Sequence, residues 1–251
     1  MAKLLLLGTA NAIPDAEHEN THMAILGRDG VVLIDCVSSP KIRLARAGIA
    51  LDDIGDLIVT HFHPDHVSGV PLLLMNMWLM GRRRPLRIYG LHPCVERLED
   101  MMGFYHWERW PRFFPVAFHR LPEQEGVVVL EKEEYRILAS PVRHLVPTIG
   151  LRIERIGGSR VIAYSCDTEP TSAVVRLAAG ADVLLHESSG GGVGHSSPDQ
   201  AGQIAQQAEV ARLLLIHYPT IDMDEDVWLR QARSAFREQV ELARDFQEFE
   251  I

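Results

Sequence analysis

Six consecutive residues, His61-Phe62-His63-Pro64-Asp65-His66, hold four groups able to bind a metal ion, and they follow directly on the apolar run Leu57–Thr60. In extended chain, side chains two positions apart share a face, so the imidazoles of His61 and His63 reach one ion. Pro64 forces a turn, and Asp65-His66 opens the next helix, aimed at a second position nearby. Imidazole nitrogen and carboxylate oxygen are donors that borderline cations such as Zn2+ accept. The chain is therefore expected to end a buried strand in a tight loop and to start a helix at once.

Short apolar runs of strand length recur on both sides of this element. In the first half they are Lys3–Gly8, Val31–Asp35, Leu57–Thr60 and Leu86–Tyr89. In the second half they are Val127–Glu131, Tyr135–Ala139, Gly150–Ile156, Val161–Tyr164, Asp182–His186 and Arg212–His217. Helical patterns lie between them at Val67–Met80, Pro93–Met101, Pro170–Ala179, Pro198–Val210 and Asp224–Phe246. Some carry N-terminal signals, such as Ser197-Pro198-Asp199. The mixture reads as α/β. No Ser/Gly/Pro-rich linker divides it, so residues 1–251 are expected to form a single domain, long enough to bury a substantial core.

Three further residues leave buried runs at positions where open α/β sheets place their sites: His144, Asp167 and His217. Each alone could be an ordinary strand-end residue; beside the His61–His66 element each becomes a candidate ligand. Cysteine contributes little to this picture. The three, Cys36, Cys94 and Cys166, contain no Cys-x-x-Cys pair, which argues against a disulfide framework or a four-cysteine zinc site and for a reducing compartment. Leu4–Leu7 is too short for a signal-peptide core, and no run reaches the roughly 18–20 apolar residues that span a bilayer. A cytoplasmic protein with no membrane partner is expected. The formal charge, 25 Lys+Arg against 34 Asp+Glu for a net −9, argues against a general nucleic-acid coat protein.

The order of motifs along the chain resembles the metallo-β-lactamase fold superfamily, and within it the ribonuclease Z branch. Leu7-Gly8-Thr9, Leu33-Ile34-Asp35-Cys36 and the Thr60–His66 loop with Gly69-Val70-Pro71 carry the resemblance early in the chain. Ile88-Tyr89-Gly90, His144 with Gly150 and Arg152, Tyr164-Ser165-Cys166-Asp167-Thr168 and His217 continue it. The pair His186-Glu187 and the block His195-Ser196-Ser197…Gln200-Ala201 point to the ribonuclease Z branch.

The resemblance implies a four-layer αββα sandwich and two divalent metal ions, Zn2+ before Mn2+ or Fe2+. It implies one ion on His61, His63 and His144, a second on Asp65, His66 and His217, and Asp167 between them. A hydroxide shared by the ions would be the nucleophile, with Asp65 orienting or deprotonating it. Glu187 and His195 match the family's proton donor to the leaving oxygen. The implied activity is hydrolysis of a phosphodiester.

Two departures bear on the substrate. Only 22 residues separate His144 from Asp167, where bacterial tRNA-maturing relatives carry a long basic arm. Val37-Ser38-Ser39 and Leu91-His92-Pro93 also replace family patterns. Together with the net charge, this turns the expectation away from tRNA and toward a small or cyclic phosphodiester or a short RNA end. The alternative is hydrolysis of a lactone, thioester or other carboxylic or sulfate ester. A di-iron flavin oxidoreductase is disfavoured by an intact His63 and by the absence of room for a flavin domain.

Two regions stay open at this stage. The soft, aromatic segments Met75–Met80 and Met101–Phe118 suit either a core that extends into a homodimer interface, common in this family, or an apolar lid over the metals. Arg82-Arg83-Arg84 could clamp phosphate but reads better as cations closing a helix C-terminus.

Overall fold

The computed structural model describes residues 1–251. The chain begins with strands β1 (Lys3–Gly8), β2 (His22–Gly27) and β3 (Gly30–Ile34), then helix α1 (Pro40–Arg46) and β4 (Ile54–Ile58). Helices α2 (Pro64–Val67) and α3 (Val70–Leu79) lead to β5 (Leu86–Leu91), and α4 (His92–Phe104) leads to β6 (Val116–Leu121). The second half opens with β7 (Val127–Glu131), β8 (Tyr135–Val142), β9 (Thr148–Arg155) and β10 (Val161–Tyr164). It continues through α5 (Ser172–Ala178), β11 (Val183–Glu187), α6 (Pro198–Gln207) and β12 (Arg212–Ile216). Helix α7 (Glu225–Ala235), β13 (Gln239–Leu242) and β14 (Glu248–Glu250) complete it.

Two seven-stranded sheets result, ordered β14-β1-β2-β3-β4-β5-β6 and β13-β12-β11-β10-β9-β8-β7. Apart from β14, in each sheet the strands earlier in the chain pair antiparallel and the later ones parallel, from β3 to β6 and from β10 to β13. Parallel neighbours need a crossover, and the helices supply it on the outer face of each sheet. Burial divides accordingly into three clusters. Leu4, Leu6, Ile58, Ile137, Leu151, Leu214 and Ile216 belong to the cluster shared by the two sheets. Leu5, Leu7, Leu57, Leu73 and Leu98 pack the first sheet against its helices, and Leu213, Leu215, Ala201 and Ala232 do the same for the second. Adjacent residues of one strand thus serve opposite cores, which explains uninterrupted runs such as Leu4–Leu7. The architecture is the four-layer αββα sandwich expected.

Several elements differ from the sequence reading. The helix expected over Val67–Met80 is two helices, broken at Ser68-Gly69. A Cβ at Gly69 would lie 2.6 Å from the backbone of Val37, so only glycine fits where this turn crosses the loop after β3. The helix expected over Asp224–Phe246 stops at Ala235 and gives way to β13. Val240 and Leu242 alternate into the outer core of the second sheet, and this two-residue period outweighs the charged composition. Strands β2 and β6 were not expected, since Met23-Ala24-Ile25-Leu26 suits helix or strand equally.

The soft aromatic segments lie far from the ends of the strands that carry the histidines. A crossover helix leaves the C-terminal end of one parallel strand and returns to the N-terminal end of the next. Met80 and residues 105–115 therefore sit at the N-terminal edges of β5 and β6. There Trp78 stacks on Trp110 (centroids 4.9 Å apart) and donates its indole N–H to the carbonyl of Pro111 (3.0 Å). The segment extends the outer core of the first sheet and forms no lid over the histidine cluster. Arg82 is also at that end, buried, donating to the carbonyls of Leu51 (3.1 Å), Ile54 (2.7 Å) and Pro85 (2.9 Å). Its guanidinium is committed to these carbonyls, none of which belongs to α3, and is not free to clamp phosphate. No helix is long and apolar enough to cross a membrane.

Candidate metal centre

The site is built where parallel strands of both sheets end. Three of the strand-end residues adopt left-handed backbone without being glycine: Asp35 after β3 (φ 61°), Cys166 after β10 (φ 54°) and His217 after β12 (φ 54°). Such a conformation costs roughly 1–2 kcal/mol per residue. It turns the chain sharply, so that a side chain leaving the sheet is aimed into the gap between the two layers.

Asp35 organises the loop after β4. One of its oxygens accepts the amide N–H of Thr60 (2.8 Å), the Thr60 hydroxyl donates to the same carboxylate (2.8 Å), and His66 Nδ1 lies 2.8 Å from its other oxygen. Pro64 stands at the first position of α2, where its missing N–H is harmless. His61 and His63 project together from the extended segment before it, with ring centroids 4.7 Å apart.

The seven sequence candidates converge. His61 Nε2 and His144 Nε2 each lie 3.1 Å from His63 Nδ1. Two ligands about 2.0–2.1 Å from a tetrahedral ion stand roughly 3.3 Å apart, so these nitrogens face a common point as coordinating atoms do. A second group comprises Asp65, His66, Asp167 and His217. His66 Nε2 is 3.6 Å from Asp65 Oδ2 and 3.5 Å from Asp167 Oδ1, and His217 Nε2 is 3.2 Å from Asp167 Oδ2. Asp167 also reaches the first group, 4.0 Å from His61 Nε2 and 3.9 Å from His144 Nε2. Fully buried polar atoms rarely lack a partner, yet His66 Nε2 and Asp167 Oδ1 have no hydrogen bond here. Orphaned donors aimed at one gap fit a cation.

The electrostatics of the first group agree. Burial, reinforced by the neighbouring His66, holds His61 well below the usual imidazole range, and burial lowers His63 and His144 as well, so these rings present lone pairs. Burial alone would lower His66, but the carboxylates of Asp167 and Asp35 outweigh it and raise that ring well above its ordinary value. Burial opposes the charge on Asp167; His217 and His66 overcome it and keep the carboxyl well below its usual range. The remote ring nitrogens are held too. His144 Nδ1 donates to the carbonyl of Gly194 (2.7 Å), and His61 Nδ1 lies 3.2 Å from the Thr60 hydroxyl and 3.6 Å from Cys166 Sγ.

Beside this cluster Glu187, fully buried at the end of β11, accepts N–H groups from Thr168 (3.1 Å), Ser196 (2.9 Å) and Ser189 (2.9 Å). Its Oε1 also lies 3.0 Å from Nδ1 of His195, whose ring neighbours those of His144 (4.9 Å) and His217 (6.1 Å). The hydrogen bond to Glu187 raises the His195 pKa, against the effect of burial. His186 turns away and donates to the carbonyl of Glu187 (2.7 Å). Gly194 and Glu169 had no sequence signal. A Cβ on Gly194 would stand 2.9 Å from His144 Nδ1, and Glu169 accepts the Gly194 N–H (3.0 Å) while pairing with Arg143 (2.9 Å). Gly194 takes a positive φ of 82°, as do Gly190, Gly191 and Gly192 before it.

Comparison with known proteins bears on the family and the fold. Residues 31–218 match the family model described as the Beta-lactamase superfamily domain. The Ribonuclease Z of Mycolicibacterium gilvum is 30% identical over all of this chain and 96% of its own. That of Methanothermobacter thermautotrophicus is 28% identical over 94% of this chain and 92% of its own. The solved structure of the metallo-beta-lactamase fold protein YhfI from Bacillus subtilis superposes with a TM-score of 0.83 at 22% identity, covering 99% of this chain and 98% of the other. The chain belongs to the metallo-β-lactamase superfamily. Within it the chain is ribonuclease Z-like, a metal-dependent hydrolase.

Proposed function

We propose that the protein is a dinuclear phosphodiesterase acting on a small or cyclic phosphodiester or a short RNA end. The observation that supports it best is a single carboxylate, Asp167, lying within 3.2–4.0 Å of histidines from two separate groups. In this reading His61, His63 and His144 would hold one ion and Asp65, His66 and His217 the other, with Asp167 available to both. The nitrogen- and oxygen-only donor set suits Zn2+, with Mn2+ or Fe2+ as weaker fits. Divalent ions held there would lower the pKa of a water and neutralise charge on the attacked phosphoryl oxygen. Asp65, partly open to solvent, orients that water and takes up its proton. His195, gripped at Nδ1 by Glu187, presents its other nitrogen to the leaving oxygen and donates a proton to it.

Residues 1–251 act in this proposal as one domain, supported by the pairing of β14 with β1 across the ends of the chain. We place it in the cytoplasm, where three buried free thiols persist. It acts as a homodimer through the outer face of α3 and α4, where Leu79, Met80, Phe104 and Tyr105 are exposed. A second reading, hydrolysis of a lactone, thioester or sulfate ester at the same centre, is favoured by the scarcity of cations in the surrounding loops.

Metal analysis followed by a substrate panel tests the proposal: bis(p-nitrophenyl) phosphate and cyclic nucleotides against lactones, aryl sulfates and precursor tRNA. Two ions per chain and turnover of the diesters are expected. Metal-replete protein that leaves every phosphodiester intact while opening lactones or sulfates would replace the first reading with the second.

A further inference from the structure

Four of the large apolar side chains that the surface exposes come from loops that bear or border the histidines: Ile13 (59% exposed), Leu145 (60%), Val193 (77%) and Ile221 (60%). Leu145 follows His144, and Val193 precedes His195 by two residues. The two meet at Gly194, whose absent side chain would touch Leu145 Cγ at 3.0 Å. On the other flank the Thr220 hydroxyl donates to the carbonyl of Ile13 (3.0 Å), bringing Ile13 beside Ile221, four residues past His217. Asn11 N–H donates to the Tyr218 carbonyl (3.0 Å) and ties these two loops together. The loops that carry the histidines therefore bear one exposed apolar pair beside His144 and His195 and another beside His217.

Charge around the opening points the same way. Segments 9–21, 35–39, 59–69, 143–148, 165–171, 188–197 and 217–224 contain one Lys or Arg between them, Arg143, and it pairs with Glu169. The same segments carry Asp15, Glu17, Glu19, Asp222 and Asp224 besides the carboxylates already described. A polynucleotide is held chiefly by cations on its phosphates, and this rim offers almost none.

We infer that the opening selects a singly charged diester bearing an alkyl or aryl group next to the scissile bond, held between Leu145–Val193 and Ile13–Ile221, and rejects polyanions. The inference rests on the phosphodiesterase reading for the reaction, and on the loops alone for the apolar group.

The test uses metal-loaded full-length protein with p-nitrophenyl alkyl phosphates from methyl to hexyl, and calorimetry with the matching alkylphosphonates, which are not hydrolysed. Half-burying each added methylene gives about a twofold gain, so kcat/KM and phosphonate affinity should rise about thirtyfold from methyl to hexyl. The double variant Leu145→Ser, Val193→Ser alters exposed positions only. It should keep its circular dichroism spectrum and lower the hexyl-to-methyl ratio to about fivefold, one flank being left. A flat phosphonate series overturns the apolar opening, as does a ratio unchanged in the folded double variant. Preference for hexauridylate over the hexyl diester, weakening steeply with salt, also overturns it. Protein that binds the long phosphonates but cleaves no diester loses the phosphodiesterase reading and keeps only the apolar site.

Discussion

The first sheet delivers four of the seven converging donors from one loop, His61 to His66, whereas the second delivers its three from separate connections after β8, β10 and β12. The first arrangement is fixed locally. One strand end, one proline and one carboxylate, Asp35, which holds Thr60 and His66, shape the loop that carries all four side chains. The second is fixed only by topology and by bonds that cross between loops, such as His144 to Gly194 and Gly194 to Glu169. Local encoding makes a rigid half-site; dispersed encoding makes one whose members can be displaced singly.

Asp167 is where the two arrangements meet, and Asp167→Ala should remove all detectable turnover while leaving the circular dichroism spectrum unchanged. Retained activity would mean that the two groups work independently. Next in size is His195→Ala, which should lower kcat by about 10²–10⁴ on alkyl leaving groups. Nitrophenolate leaves without a proton, so the loss there should be far smaller, and equal losses on both would remove the proton-donor role.

Two substitutions set the halves against each other. Asp35→Asn should weaken metal binding about 10- to 100-fold through the whole His61–His66 loop. Among the candidate ligands Gly194→Ala pushes only on His144, and it should lower the affinity of one ion, leaving the other in place; titration with a metal chelator followed by metal analysis distinguishes them. A simultaneous loss of both ions in Gly194→Ala would erase the contrast.

The last effect, on stability and not on the site, concerns His22, at the start of β2, whose buried ring is pushed down to about 4 and bonds the carbonyl of Asn20 (2.8 Å). Unfolded chain takes up this proton near pH 6.5 and native chain near 4, so stability falls as pH drops through that window, by about 3 kcal/mol when complete. Urea midpoints between pH 7 and 5 should fall less steeply in His22→Gln than in the parent.

The same contrast decides what the sequence made legible. Spacing exposed the His61–His66 loop because its geometry is a property of six adjacent residues. His144, Asp167 and His217 were recognisable as polar ends of buried runs, but only their company marked them out. Asp35 was visible as part of a motif and not as the residue that orients His66, since a contact between positions 35 and 66 exists only once β3 and β4 pair in parallel. Gly194 and Glu169 were illegible for the same reason. The shared plan of the two sheets, antiparallel then parallel, left no alignable repeat, because each half fills its layers with different residues. Asp224–Phe246 misled because charged residues suit a solvated helix, while Val240 and Leu242 found a sheet edge that local composition does not announce.

The span of the contacts within the centre has a kinetic side. His63 meets a partner 81 positions along the chain and His61 one 105 positions along. Such contacts close large loops and form late in folding. Neither half assembles the full donor set before the sheets dock, so the ability to capture a metal ion is acquired in the same step as the central core. In refolding from urea, metal uptake followed by a chromogenic indicator would therefore serve as a clock for the docking of the two sheets.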